Sequence, residues 1–198
     1  MKEIREMSVR GLAQAIRAGE ISSAEVTEAF VRRILEVNPK LNAVVQVCAD
    51  AALSEAARAD RALARGEFFG PLHGVPMTLK DSFDSAGVVS AGGTLGRKDF
   101  VPVKDATVLS RLRKNGAILL GKTNTPEFTL MYETDNLVYG RTNNPYDLEC
   151  SPGGSSGGAA AIVASGGSPF DVGSDYGGSL RYPAHCCGIT SIKPTSGR

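Results

Sequence analysis

The sequence predicts an α/β layered fold, and three observations carry that expectation. Apolar residues recur at helical spacing over the first third of the chain. Two short continuous apolar runs follow, at residues 75–79 and 117–121. A helix-length amphipathic segment separates those runs, which is the strand–helix–strand order of a layered α/β protein.

The elements follow in order. Residues 8–17 have a helical apolar pattern that ends near Gly19. A capping box at Ser22–Glu25 opens a second amphipathic helix, expected to run to about Val37, ahead of Pro39. Asn42–Val47 (NAVVQV) reads as a short strand and the alanine-rich stretch 50–65 as a third helix. Val75–Leu79 reads as a buried strand that delivers Lys80 to a strand end. Asp105 is placed to cap a helix over 106–114, which stops at Asn115–Gly116; Ala117–Gly121 (AILLG) is the next buried strand. A helix of small residues follows SPGGSSGG, at about 157–165.

Composition narrows the function classes. The 198 residues are enough for one domain of ordinary size, and 42% hydrophobic with 22% charged residues is a globular balance. With 22 Lys+Arg against 21 Asp+Glu the formal charge is +1, so nothing argues for direct contact with nucleic acid. The N-terminal MKEIREMSVRGLAQAI is charged and amphipathic rather than secretory, and no apolar run approaches the roughly 18 residues of a membrane span. A cytoplasmic location without membrane contact is expected. Cys48, Cys150, Cys186 and Cys187 contain no C-x-x-C, and His73 and His185 are the only imidazoles, so no metal site and no cofactor are expected.

Two formal motif matches fail on physical grounds. Gly116–Thr123 (GAILLGKT) fits the phosphate-loop pattern, but AILL is a strand core rather than an open turn, and Pro126 interrupts where a helix should begin. Gly153–Gly157 (GGSSG) fits the nucleophile elbow of α/β-hydrolases, with Asp171 or Asp175 and then His185 behind it. Cys150-Ser151-Pro152 stands where the preceding strand should be, however, and the intervals are too short for later strands to supply acid and histidine. His185 is expected to be a structural residue near the site.

Without a well-placed histidine, a serine nucleophile needs another base, and lysine is the available type. Lys80 ends a buried strand, Ser155 and Ser156 sit in a glycine loop before a helix, and Ser179 follows Gly177–Gly178. Burial lowers a lysine's pKa, and a neutral lysine can take a proton from serine. Glycines before Ser179 allow successive N–H groups to converge into an oxyanion hole, which contributes about 3–4 kcal/mol to such reactions. These parts suit acyl transfer from an amide or ester.

The segments GVPMTLKD (74–81), GKTNTPEF (121–128), SPGGSSGGAAAIVASG (151–166), GSDYGGSLRYPA (173–184) and CGITSIKPTSGR (187–198) together resemble the amidase signature family. The resemblance implies a layered α/β/α amidase-signature fold with a mixed central sheet, incomplete in this chain. It makes residues 1–198 the N-terminal portion of a single amidase domain, with 1–66 a mostly helical leader and 67–198 the catalytic signature region. It implies a Ser–Ser–Lys triad: Ser179 as nucleophile, Lys80 as base, and Ser155, following a cis peptide bond, as the proton-shuttling serine. Backbone N–H groups of Tyr176, Gly177, Gly178 and Ser179 would form the oxyanion hole. Ser156 would hydrogen-bond to the triad from behind, Asp175 would be an orienting hydrogen-bond partner, and Arg181 a buried structural charge. Tyr176 stands where the family usually has a small or aliphatic residue.

The implied reaction is hydrolysis of a carboxamide C–N bond through an acyl-enzyme. The family's domain is much longer than this chain, so the expected partners are a small-molecule amide substrate and either further copies or a complementing C-terminal chain. Thr125-Pro126 stands where the glutamine-hydrolysing subunit of tRNA-dependent amidotransferases typically has Met-Asp, which favours general amidases. That subunit is one alternative, and a truncated non-catalytic remnant that needs a second chain is the other.

Overall fold

The structure is a computed structural model that describes residues 2–197. After a short helix α1 (Lys2–Glu6), α2 (Val9–Ala18) starts at Ser8, whose hydroxyl accepts from the Gly11 N–H, and ends at Gly19 in a left-handed conformation. The capping box forms at Ser22: its hydroxyl accepts from the Glu25 N–H, and the Glu25 carboxylate accepts from the Ser22 N–H. The helix it opens, α3 (Ser23–Leu41), runs through Pro39 rather than stopping before it. Proline removes the N–H that would bond Leu35. Leu35 lies on an exposed turn, where water can take up its carbonyl, so the last turn survives. Asn42 then takes a left-handed conformation, so the strand β1 is shorter than expected, Val44–Val47. Helix α4 spans Ala49–Ala64.

Strands β2 (Pro76–Lys80) and β3 (Ile118–Thr123) pair in parallel and are buried at every position. That explains their unbroken apolar runs, since a parallel pair is covered on both faces. β1 joins β3 antiparallel, and a fourth strand not anticipated from sequence, β4 (Asp171–Val172), joins β2 in parallel. The sheet is therefore mixed, in the order β1-β3-β2-β4. On one face Ile118 and Leu120 pack with Phe30 and Ile34 of α3 and with Ile162 of the helix α6 (Gly157–Ala164). On the other, Met77, Leu79 and Leu119 pack on Leu109 of α5 (Thr107–Lys114).

Asp105 does not cap α5. Ala106 is the N-cap and lends no side-chain bond. The Asp105 carboxylate instead accepts from the Ala86 N–H at 2.8 Å and from Arg113 at 3.3 Å, because the loop after β2 returns alongside it and offers an unmatched amide. A last helix, α7 (Arg181–Cys186), follows the second glycine-serine run. All four thiols are free, and among the described residues no helix is long and apolar enough to cross a membrane.

Candidate active site

The parallel pair β2–β3 ends with Lys80 beside Thr123, and the alternation of the strands sends Thr78 and Lys80 to the face that α6 covers. Helix α6 can approach that closely because its first residues are small. A Cβ on Gly158 would collide with the backbone of Asn124, so the N-terminal turn sits directly on the end of β3. The loop ahead of α6 is clamped by Thr134, whose hydroxyl donates to the Gly153 carbonyl at 2.8 Å and accepts from the Gly157 N–H at 3.1 Å. Between those two points the Gly154–Ser155 peptide bond is cis, and Ser155 and Ser156 are buried.

The Lys80 ammonium nitrogen lies 2.7 Å from Ser155 Oγ, 3.0 Å from Ser156 Oγ and 3.0 Å from Ser174 Oγ. Lys80 is wholly enclosed, and no carboxylate among the described residues pairs with it. Burial therefore depresses its pKa, to about 7, with Asp171 and Asp175 pulling the other way. Ser174 was not singled out from the sequence. Its only signal there was a hydroxyl residue inside the small-residue run 173–179.

The second glycine-serine run docks on the first through the backbone: the Ser156 N–H donates to the Ser179 carbonyl at 3.1 Å. The Ser179 hydroxyl is half-buried and takes no protein partner among the described residues. The loop is organised by Asp175, whose carboxylate accepts from the N–H groups of Gly178, Leu180 and Arg181. The Gly178 N–H is thus engaged by Asp175, while those of Tyr176, Gly177 and Ser179 meet no acceptor among the described residues. The Tyr176 ring points to solvent.

Arg181 departs from expectation. Its side chain is 58% exposed rather than buried; the buried member of the pair is Asp175, which Arg181 covers from outside with Nε and Nη2 at 3.0 and 2.8 Å. The arginine begins α7 at the surface and reaches back over the loop, so the carboxylate alone is enclosed. Those bonds to Arg181 hold the Asp175 carboxyl well below the usual range. His185 is exposed on α7 and makes no bond to this cluster. Among the described residues no group of His, Cys, Asp and Glu is arranged to hold a metal ion. Behind Ser156 lies a cleft of about 530 Å³ with mainly apolar walls, among them Ala159, Val163, Phe170 and Ile192.

Comparisons with known proteins agree on the mixed α/β fold of this chain. The amidase family description matches residues 25–198, and the chain belongs to that family of amide hydrolases. It is 48% identical over 186 residues to an indoleacetamide hydrolase of Bradyrhizobium diazoefficiens, covering 94% of this chain and 36% of that protein. It is 43% identical over 196 residues to the glutamyl-tRNA(Gln) amidotransferase A-type subunit of Geotalea daltonii, covering 99% of this chain and 40% of that protein. Among solved structures, a fatty acid amide hydrolase superposes with a TM-score of 0.90 at 36% identity, covering 92% of this chain and 32% of that one. The chain spans well under half the length of the relatives it matches.

Proposed function

We propose that the chain carries the catalytic cluster of a carboxamide hydrolase. The observation that supports this most is the environment of Lys80: a wholly enclosed amine among three hydroxyls, with a pKa brought down to about 7. A lysine so placed is a competent base near neutral pH. In this reading Ser179 Oγ attacks the amide carbon while its proton passes through Ser155 to Lys80. The developing oxyanion is met by the free N–H groups of Tyr176, Gly177 and Ser179. Collapse breaks the C–N bond, and the Lys80 proton returns through Ser155 to the departing nitrogen. Water then hydrolyses the ester on Ser179, with Lys80 again the base. Ser156 and Ser174 hold the lysine nitrogen in line, and Asp175 holds the 176–179 turn in shape. The reaction would take place in the cytoplasm, on a small-molecule amide.

A second reading, the glutamine-hydrolysing subunit of a tRNA-dependent amidotransferase, is favoured by the 43% identity across nearly the whole chain. It differs in requiring partner subunits and glutamine. A fluorophosphonate labels an activated serine independently of substrate choice, so it tests the cluster itself. The expected result is stoichiometric labelling of the purified chain at Ser179, mapped by peptide mass spectrometry and abolished in Ser179→Ala and in Lys80→Ala. A folded chain that takes no label, alone or with a complementing C-terminal chain, would make it a non-catalytic remnant. Hydrolysis confined to glutamine and dependent on added partner subunits would favour the second reading.

A further inference from the structure

The charged groups around the sheet end sort into matched and unmatched ones. Lys122 has Asp81 at 3.1 Å, and Asp175 has Arg181 at 2.8 Å. Lys80 and Asp171 remain, and among the described residues neither makes an ion pair. They share one face of the sheet. Asp171 opens β4 opposite Thr78, two residues before Lys80 on the same side of β2. Its Oδ2 accepts from Thr123 Oγ1 at 3.0 Å, and Thr123 is the β3 partner of Lys80. Its Oδ1 is sealed from solvent.

We propose that Asp171 is a positioning residue that acts through Lys80, its carboxylate serving as the counter-ion for the ammonium formed when Lys80 takes up the serine proton. The proposal rests on the role given to Lys80 above. A proton arriving on a buried amine creates a charge that low-dielectric surroundings resist, and a nearby anion offsets that cost. Lys122 and Asp175, the other charges bearing on the pair, are already engaged by Asp81 and Arg181. Helix α6 presents Ala159, Ala160 and Val163 to the same cleft, none of which titrates. Burial pushes the Asp171 carboxyl up to about 6, against the pull of Thr78, Thr123, Lys80 and Lys122. Asp171 is also the larger of the two carboxylate influences that hold the Lys80 pKa up.

The test follows both groups directly and requires no turnover. With carbon-13 lysine and aspartate, the side-chain resonances of Lys80, Lys122 and Asp171 are titrated by NMR from about pH 5 to about pH 10, bracketing both groups. In the unmodified chain the Lys80 curve should carry a second, smaller inflection at the midpoint read from Asp171 itself. In Asp171→Asn that inflection should vanish and the Lys80 midpoint should fall by roughly one pH unit, while Lys122 moves less. A merely structural aspartate would change melting temperature without displacing the Lys80 curve. If Asp171→Asn does not fold, the unmodified curves decide. A single Lys80 inflection with no step at the Asp171 midpoint overturns the proposal, as does an unmoved or raised Lys80 midpoint in the variant. Coupled titration in a chain that resists fluorophosphonate labelling would keep the ion pairing and reject only the catalytic reading of Lys80.

Discussion

Two lysines lie near the C-terminal ends of adjacent strands, both wholly enclosed, and their surroundings are opposite in kind. Lys122 on β3 turns toward the α5 face, where it donates to the Asp81 carboxylate and to Ser90 Oγ at 2.8 Å. Asp81 in turn accepts from the Gly92 N–H at 2.8 Å, so the ion pair ties β2, β3 and the loop after β2 together. Lys80 turns toward α6, where hydroxyls rather than a carboxylate surround it. Burial lowers both pKa values, but only Lys122 has a contacting anion to hold its proton. Equal burial therefore leaves one lysine against a carboxylate and the other against hydroxyls alone. The partner, more than the depth, decides how firmly a buried lysine holds its proton.

The sharpest way to break the contrast is at Lys122. Lys122→Met should destabilise the fold by about 3–5 kcal/mol, because it leaves Asp81 enclosed and unpaired. Chemical denaturation would read this, and adding Asp81→Leu should recover part of the loss. An Lys122→Met chain as stable as the parent would remove the structural role assigned to the pair.

Lys80→Met should act in the other direction on stability while abolishing the serine's reactivity. The folded pKa of Lys80 lies below its unfolded value of 10.5. The unfolded chain therefore binds more protons between about pH 7 and that value, and the lysine's contribution to stability rises with pH through the window. Below about pH 7 its burial cost is fully present. Lys80→Met should thus stabilise the chain most at and below neutral pH, by up to a few kcal/mol, and flatten the rise toward alkaline pH. A denaturation series across that window checks the sign. Ser179 labelling in the parent should conversely grow as pH rises through about 7, where Lys80 gives up its proton.

The smallest effect is expected at Ser174. Ser174→Ala removes one of three hydroxyls from the lysine nitrogen and leaves the other two. Labelling at Ser179 should slow by about tenfold, equivalent to about 1.4 kcal/mol, with melting little changed. A loss as complete as that of Lys80→Ala would make Ser174 indispensable rather than supporting.

Much of this was legible in the chain itself. The capping box at Ser22–Glu25, the unbroken apolar runs of β2 and β3 and the small-residue start of α6 are local signals, governed by backbone propensity and periodicity. They sufficed to place Lys80 at a strand end and Ser155 and Ser156 ahead of a helix. Pro39 and Asp105 misled because each has a local preference that its surroundings override: an exposed last turn in one case, a returning loop amide in the other. β4 was invisible, since two residues within FDVG form no pattern and become a strand only by pairing with β2. The approach of Ser174 and Asp171 to Lys80 therefore depended on long-range pairing. So did the division between the two lysines, because identical side chains at the ends of neighbouring buried strands are told apart only by the groups that folding brings against them.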